Sequence, residues 1–373
     1  MDTIKLPDKW LEHDRKVKPY IWSHRITGYL HTALGLGCLV YLFLQYRGLH
    51  FEWWLKGYVS RPILLWLGYF GIIGAAWKVL SLPFSTTHHL IEKKYGLSKQ
   101  AFLPWLWDYV KACLLGAVLG SVALGIVIFC LYFFGDLWWF PCATFLVLFS
   151  ILLAELTPVL LIPIFYKLKP LEDGPLKQRL LALTSKFGIQ VRDVYHLGLG
   201  EKTEKGNAAF VGLGKTKRIL IGDTLYTKHS PEEVEAVFAH ELGHQVHNDL
   251  WKGIGVSTFF LYVGFFVAQW VAKRLFGVSL DTQIDSPFNA LIFFVTLSVI
   301  QMPFGVAQSW YSRSRERMAD FFAAEVIGVG KALADSLEKL TFQNYSFFKP
   351  NPILEFLNYS HPAPWRRITS LKK

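Results

Sequence analysis

The sequence predicts a mainly α, multi-pass membrane protein of about six transmembrane helices with a small α+β domain set among them. Three observations carry this. Hydrophobic residues make up 52% and charged residues only 18% of the 373 positions, a balance too apolar for an ordinary soluble protein. The apolar residues gather in six runs, near 27–46, 62–82, 109–134, 138–165, 254–272 and 287–310. Each is long enough to cross, or nearly cross, a hydrocarbon core of about 30 Å at 1.5 Å per residue. Finally, a polar insertion of about 166–250 separates the fourth run from the fifth and contains short stretches rich in β-branched and aromatic residues.

Taken in order, the N-terminal "MDTIKLPDKWLEHDRKVKPYIW" is polar before any apolar run begins, so no cleaved signal peptide is expected and the first span should stay in the mature protein. The four cysteines, Cys38, Cys113, Cys130 and Cys142, all fall in expected spans without a CxxC pair, which suggests neither a disulfide framework nor a cysteine metal site. They read as small buried apolar residues. The net charge of +11 is concentrated in the N-terminal segment, the 85–108 loop, the 166–253 segment and the tail. That placement follows the positive-inside rule rather than a nucleic-acid surface, and it puts both termini and the 166–253 segment in the cytoplasm. Arg47, Lys56 and Arg61 lie on the other side and run against the rule.

Within the polar segment, "GPLKQRLLALTSKFGI" (174–189) has helical spacing. The stretches 191–197, 207–213 and 217–225 read as strands of a small antiparallel sheet. "HSPEEVEAVFAHELGHQVHNDL" then opens a helix, with Ser230 as N-cap, Pro231 at the first helical position and Glu233 closing a capping box. After the sixth run, "SRSRERMADFFAAEVIGVGKALADSLEKL" continues as a charged and then amphipathic helix, and "NYSHPAPWRRITSLKK" is a turn with a basic end. The organisation expected is an N-terminal membrane domain (1–165, four spans), a cytoplasmic segment (166–253), two further spans (254–310), and a terminal part (311–373) that completes the cytoplasmic domain.

"HELGH" at 240–244 carries the chemistry. On a helix, His240 and His244 lie on one face and can share a Zn²⁺, while Glu241 can reach the metal's water as a base. The pattern alone also fits a helix with two solvated histidines. A catalytic zinc needs a third protein ligand, and Glu316, with Asp320 four residues on, supplies a carboxylate after two crossings that return the chain to the same side. His247 is about 10 Å further along the axis from His240 and reads as a rim or packing residue.

"HELGH", "SRSRERMAD", "HPAPWRRI", "GNAAFVGLGKTKRILIGDTL" and "LPFSTTHHLIEKKYGLSKQ" together resemble the type I CAAX prenyl endopeptidases, integral-membrane zinc metalloproteases, in the same order from about residue 60 onward. The resemblance implies one Zn²⁺ per chain held by His240, His244 and Glu316, with Glu241 as catalytic base. It implies Asp320 as a carboxylate behind a ligating histidine, and His361 and Arg367 as groups that steady an oxyanion or a substrate carboxylate. Asn207 and Ala208 match the sheet edge along which substrate lies as an added strand. The family's fold implies helices enclosing a chamber capped by the protease domain. The chain starts near the second span of the larger eukaryotic members and lacks their long charged insertion before the motif helix, which implies a prokaryotic-like member.

The function expected is therefore a zinc endopeptidase cleaving near the C-terminus of prenylated CAAX-type or other hydrophobic peptides. Its partners are the peptide substrate and the bilayer, with no nucleic acid. The bacterial inner membrane is the expected location, or the endoplasmic reticulum membrane in a eukaryote. An HtpX-like membrane quality-control protease is the alternative, and a non-catalytic receptor or transporter a third reading.

Overall fold

The structure is a computed structural model that describes residues 6–44 and 47–373, the side chain of Lys215 excepted. Residues 45 and 46, the end of the first expected span, lie outside the described residues.

Among the described residues, six helices are long and apolar enough to cross a membrane. The first, α1 (Asp8–Phe43), is followed by the short α2 (Arg47–Lys56) and by α3 (Pro62–Lys94). Next come α4 (Phe102–Phe134) and α5 (Trp139–Leu156), the latter running through a π turn into α6 (Ile162–Phe165). The remaining two are α10 (Asp249–Phe276) and α11 (Pro287–Phe321). Large apolar side chains such as Val79, Val118, Leu148, Phe266 and Val299 are exposed on their outer faces, the surface that lipid covers.

Two of the helices extend well past the apolar runs. At 1.5 Å per residue α1 is about 54 Å long, against a core of about 30 Å. α3 continues through Pro83 to Lys94 where a loop from residue 85 was expected, ending at Gly96 with φ 71°. The extension holds because the two helices satisfy each other's polar side chains. His31 and Ser81 hydrogen-bond at 2.8 Å, and Tyr20 donates to Glu92 at 2.6 Å. On the opposite side, Glu52 of α2 accepts from Lys56 at 2.8 Å, from the Ser286 hydroxyl at 2.8 Å and from the Phe288 amide at 3.0 Å. One carboxylate thus neutralises Lys56 and ties α2 to the start of α11.

The polar insertion folds into β1 (Leu168–Pro170), α7 (Pro175–Lys186), β2 (Val194–Leu197), β3 (Ala208–Val211), β4 (Arg218–Gly222), α8 (Asp223–Tyr226) and α9 (Pro231–Val246). The sheet order is β1-β2-β4-β3, and the expectation of a wholly antiparallel sheet needs correction, because β2 and β4 are parallel. β3 and β4 form the hairpin, turning at Gly212 (φ 85°) and Gly214 (φ 49°). The chain leaving β2 crosses over to start that hairpin on the far edge, so β4 returns beside β2 in the same direction. β4 is buried along its length, whereas β3 has one unpaired edge. Leu180 of α7, Val194, Ile219 and Ile221 of the sheet, and Phe238 and Leu242 of α9 form one core under this domain.

After α11 a π segment (Phe322–Ile327) leads to α12 (Gly330–Gln343), α13 (Pro352–Asn358) and α14 (Pro364–Leu371). α12 packs on α9 and on α14, which brings the C-terminal tail back to the motif helix.

Candidate metal centre and active site

α9 starts as its sequence requires: Ser230 Oγ accepts from the Glu233 amide at 3.3 Å and Glu233 accepts from the Ser230 amide at 2.8 Å. The helix crosses α11 closely at Gly243, where a Cβ would stand 3.1 Å from the Ala319 Cα and 3.2 Å from the Phe322 ring. That crossing brings one face of α9 against Glu316 and Asp320.

His240 Nε2 lies 3.3 Å from Glu316 Oε2, and His244 Nε2 lies 3.3 Å from Glu316 Oε1. One donor atom from each of these three residues lies within 4.8 Å of the other two. In a tetrahedral zinc site with ligands about 2.0–2.1 Å from the ion, neighbouring ligand atoms stand about 3.3–3.4 Å apart, so the spacing fits a metal. Glu316 Oε2 is moreover buried and accepts no hydrogen bond, with His240 Nε2 and Arg367 Nη1 standing off at 3.3 and 3.4 Å, an arrangement a bound cation would complete. Burial and the Arg367 guanidinium push the His240 pKa down, but Asp320 and Glu316 outweigh them and hold it at about 9, so the cluster favours positive charge between its donors.

The outer nitrogens are held as well. His240 Nδ1 lies 2.9 Å from Asp320 Oδ1, and His244 Nδ1 lies 2.9 Å from Asp249 Oδ2. Each imidazole is thus turned by a carboxylate so that Nε2 faces inward. Asp320 is in turn gripped by Arg367 through two bonds of 2.8 and 2.7 Å, and Arg315 Nε donates to Asp249 Oδ1 at 2.6 Å. Arg367 also places Nη1 3.4 Å from Glu316 Oε2. His361 is 60% exposed and presents Nε2 3.3 Å from Glu316 Oε1, so it borders the open side of the cluster. Glu241, next to the first histidine, is half-buried, and burial raises its pKa above the usual glutamate range.

Of the residues singled out from the sequence, His240, Glu241, His244, Glu316, Asp320, His361 and Arg367 stand together. Ala208 begins β3 on the free edge of the sheet and Asn207 lies just before it, its carbonyl accepting from the Gly222 amide at 2.9 Å, and β3 packs on α9 through a Phe210–Phe238 ring contact of 5.2 Å. His247 packs edge-on against Phe322 at 5.9 Å. Asp249 and Arg315 were not singled out. Asp249 reaches His244 because Asn248 adopts the left-handed conformation (φ 55°), which ends α9 and starts α10 at Asp249. The available signal was an acidic residue at the first position of a new helix, where the helix dipole favours it.

Comparison with known proteins agrees with this geometry. Residues 170–373 match the model of Peptidase family M48. Residues 21–167 match that of the CAAX prenyl protease N-terminal region, described as five membrane helices. The chain is 29% identical over 331 residues to CAAX prenyl protease 1 of Saccharomyces cerevisiae, covering 82% of this chain and 71% of that protein. It is 29% identical over 299 residues to the CAAX prenyl protease 1 homolog of Arabidopsis thaliana, covering 79% and 70%. To the metalloprotease YhfN of Bacillus subtilis it is 24% identical over 327 residues, covering 86% and 76%. The crystal structure of S. mikatae Ste24p superposes with a TM-score of 0.86 at 23% identity, covering 100% of this chain and 91% of that one, and shows the same fold. The chain is thus an integral-membrane metalloendopeptidase that belongs to peptidase family M48 and, through its matching N-terminal region, to the CAAX prenyl proteases.

Proposed function

We propose that the protein is a zinc-dependent endopeptidase that cleaves near the C-terminus of prenylated CAAX-type peptides at the cytoplasmic face of its membrane. The observation that carries the metal assignment is the triangle of His240, His244 and Glu316, whose spacing, buried carboxylate and carboxylate-backed imidazoles suit Zn²⁺. The prenylated substrate rests on the likeness to the CAAX prenyl proteases. The cytoplasmic orientation of both termini and of the protease domain rests on the distribution of Lys and Arg. The membrane proposed is the bacterial cytoplasmic (inner) membrane, with the endoplasmic reticulum membrane as its eukaryotic counterpart.

Zinc in such a site supplies Lewis acidity and lowers the pKa of water. Glu241 takes the proton from the attacking water and passes it to the leaving amine. Its burial suits this, since a base whose pKa is pushed toward the working pH both accepts and returns a proton readily. His361 donates from the exposed side to the oxygen on which negative charge develops. Arg367, committed to Asp320 through two nitrogens, holds the His240 support in place and adds positive charge beside Glu316. The free edge of β3 at Asn207 and Ala208 offers its backbone to an extended peptide.

Metal analysis of the purified protein, combined with cleavage of a farnesylated CAAX peptide and its unprenylated twin, tests the reading. About one zinc per chain and faster cleavage of the farnesylated peptide are expected. Zinc without preference between the peptides removes the prenyl assignment and leaves the protease, whereas absence of bound zinc removes the metal assignment.

A further inference from the structure

A cleft of about 940 Å³ opens beside the metal-site residues and descends into the membrane region between α5, α10 and α11. His244, Asp249 and Arg315 stand at one end. From there it follows one face of α10 through Gly253, Ile254 and Ser257 to Leu261, about 18 Å of helix from Asp249 at 1.5 Å per residue. Below Leu261 the two helices close on each other, since a Cβ on Gly264 would meet Gln301 Nε2 at 2.3 Å. The cleft is therefore elongated, has its floor inside the membrane, and is continuous with the catalytic cluster at its mouth.

Its walls change character with depth. The mouth is polar, while Leu146 and Val147 of α5, Ile254 and Leu261 of α10 and Leu297 of α11 line it further in. Three of the polar residues among these walls, Ser150, Ser298 and Gln301, bond to backbone carbonyls, while Gln308, Tyr311 and Ser312 stand toward the mouth. Ser150 and Ser298 donate their hydroxyls to the carbonyls of Val147 and Phe294, and Gln301 donates to the Phe260 carbonyl at 3.3 Å. At Ser150 and Ser298 the hydroxyls turn back to the backbone, so beside Leu146, Val147, Leu261 and Leu297 the inner wall offers an occupant hydrocarbon.

On the other flank of the metal site a separate groove of about 550 Å³ touches His361 and Arg367 and runs past Tyr20 and Lys205. Lys205 lies just before Asn207, so a peptide added along the edge of β3 and continuing past Asn207 heads toward this groove. That leaves the membrane cleft for whatever the residue at the scissile bond carries on its side chain.

We propose that the cleft between α5, α10 and α11 holds the isoprenoid chain of the substrate's prenylated cysteine while the peptide lies along β3. This rests on the prenyl-peptide reading above. The cleft's length, its apolar inner lining of Leu146, Val147, Leu261 and Leu297 and its end at His244 match a long apolar chain tethered to a polar head at the reacting centre, and its volume falls in the usual range for a ligand pocket.

Gly253 gives the test, because a Cβ added there meets nothing within 4 Å and a larger side chain projects into the cleft. In the full-length purified enzyme, Gly253→Phe is expected to lower the ratio of kcat/KM for the farnesylated peptide over its unlipidated twin at least tenfold, and Gly253→Ala to keep most of it. In parallel, the full-length Glu241→Gln protein is incubated with a CAAX peptide carrying a photoreactive isoprenoid. The adduct is expected on cleft residues of α5, α10 or α11. A preference for the farnesylated peptide that survives Gly253→Phe, or an adduct on α1, α3 or the groove beside Lys205, overturns the cleft assignment. Equal cleavage of both peptides by the unsubstituted enzyme instead overturns the prenyl reading on which it rests.

Discussion

Glu241 and Asp249 are carboxylates a few residues apart with different duties, set by what each faces. Glu241 has no metal-ligand role in the cluster, so Glu241→Gln is expected to keep its zinc while kcat falls about 100- to 10,000-fold, the range for loss of a general base. Metal content and peptide cleavage measured on the same preparation decide it, and full activity with zinc bound removes the role. Asp249 instead holds the outer nitrogen of His244 at 2.9 Å with one oxygen and accepts from Arg315 with the other. Asp249→Asn is expected to weaken zinc affinity about 10- to 100-fold, read by competition with a chelator, and unchanged affinity would show that His244 needs no such support. The cluster residues were legible because helical spacing and the tail motif carried them. Asp249 and Arg315 were not, since their meeting with His244 depends on the left-handed turn at Asn248, a three-dimensional event that spacing on one helix does not express.

At the level of elements, the crossing of α9 on α11 matters more than either helix alone. Gly243 sits in that contact, so Gly243→Val forces the helices apart at the level of Glu316. Overpacking of this kind costs about 1–3 kcal/mol, and both the thermal midpoint and zinc retention are expected to fall. A variant with unchanged midpoint and metal would mean that the crossing tolerates a wider spacing. The six spans were legible from run length and hydropathy, and the capped start of α9 from Ser230, Pro231 and Glu233. The length of α3 was not, because its polar end is stabilised by Tyr20 and His31 of α1 rather than by its own pattern. The parallel pairing of β2 with β4 was hidden for a similar reason: strand composition reports a pleated, half-buried surface and says nothing of which neighbour a strand will take.

For the whole molecule, the chain between the motif helix and Glu316 runs through α10 and most of α11, and the proposed orientation rests on the charge pattern. The sequons at 344–346 and 358–360 give a check. Asn344 is engaged with Gly206, its side-chain oxygen accepting from the amide at 2.9 Å, whereas Asn358 is exposed and is the informative reporter. Expressed in a eukaryotic host, Asn358 is expected to stay unglycosylated, and sugar there would reverse the orientation. The spacing of the cluster along the chain also bears on how the enzyme is made. A ribosome delivers His240 and His244 first, Glu316 only after α10 and most of α11, and the Arg367 clamp later still. The growing chain therefore enters the membrane-insertion machinery with α9 made but its centre incomplete, and proteolytic competence waits on α11 and α14.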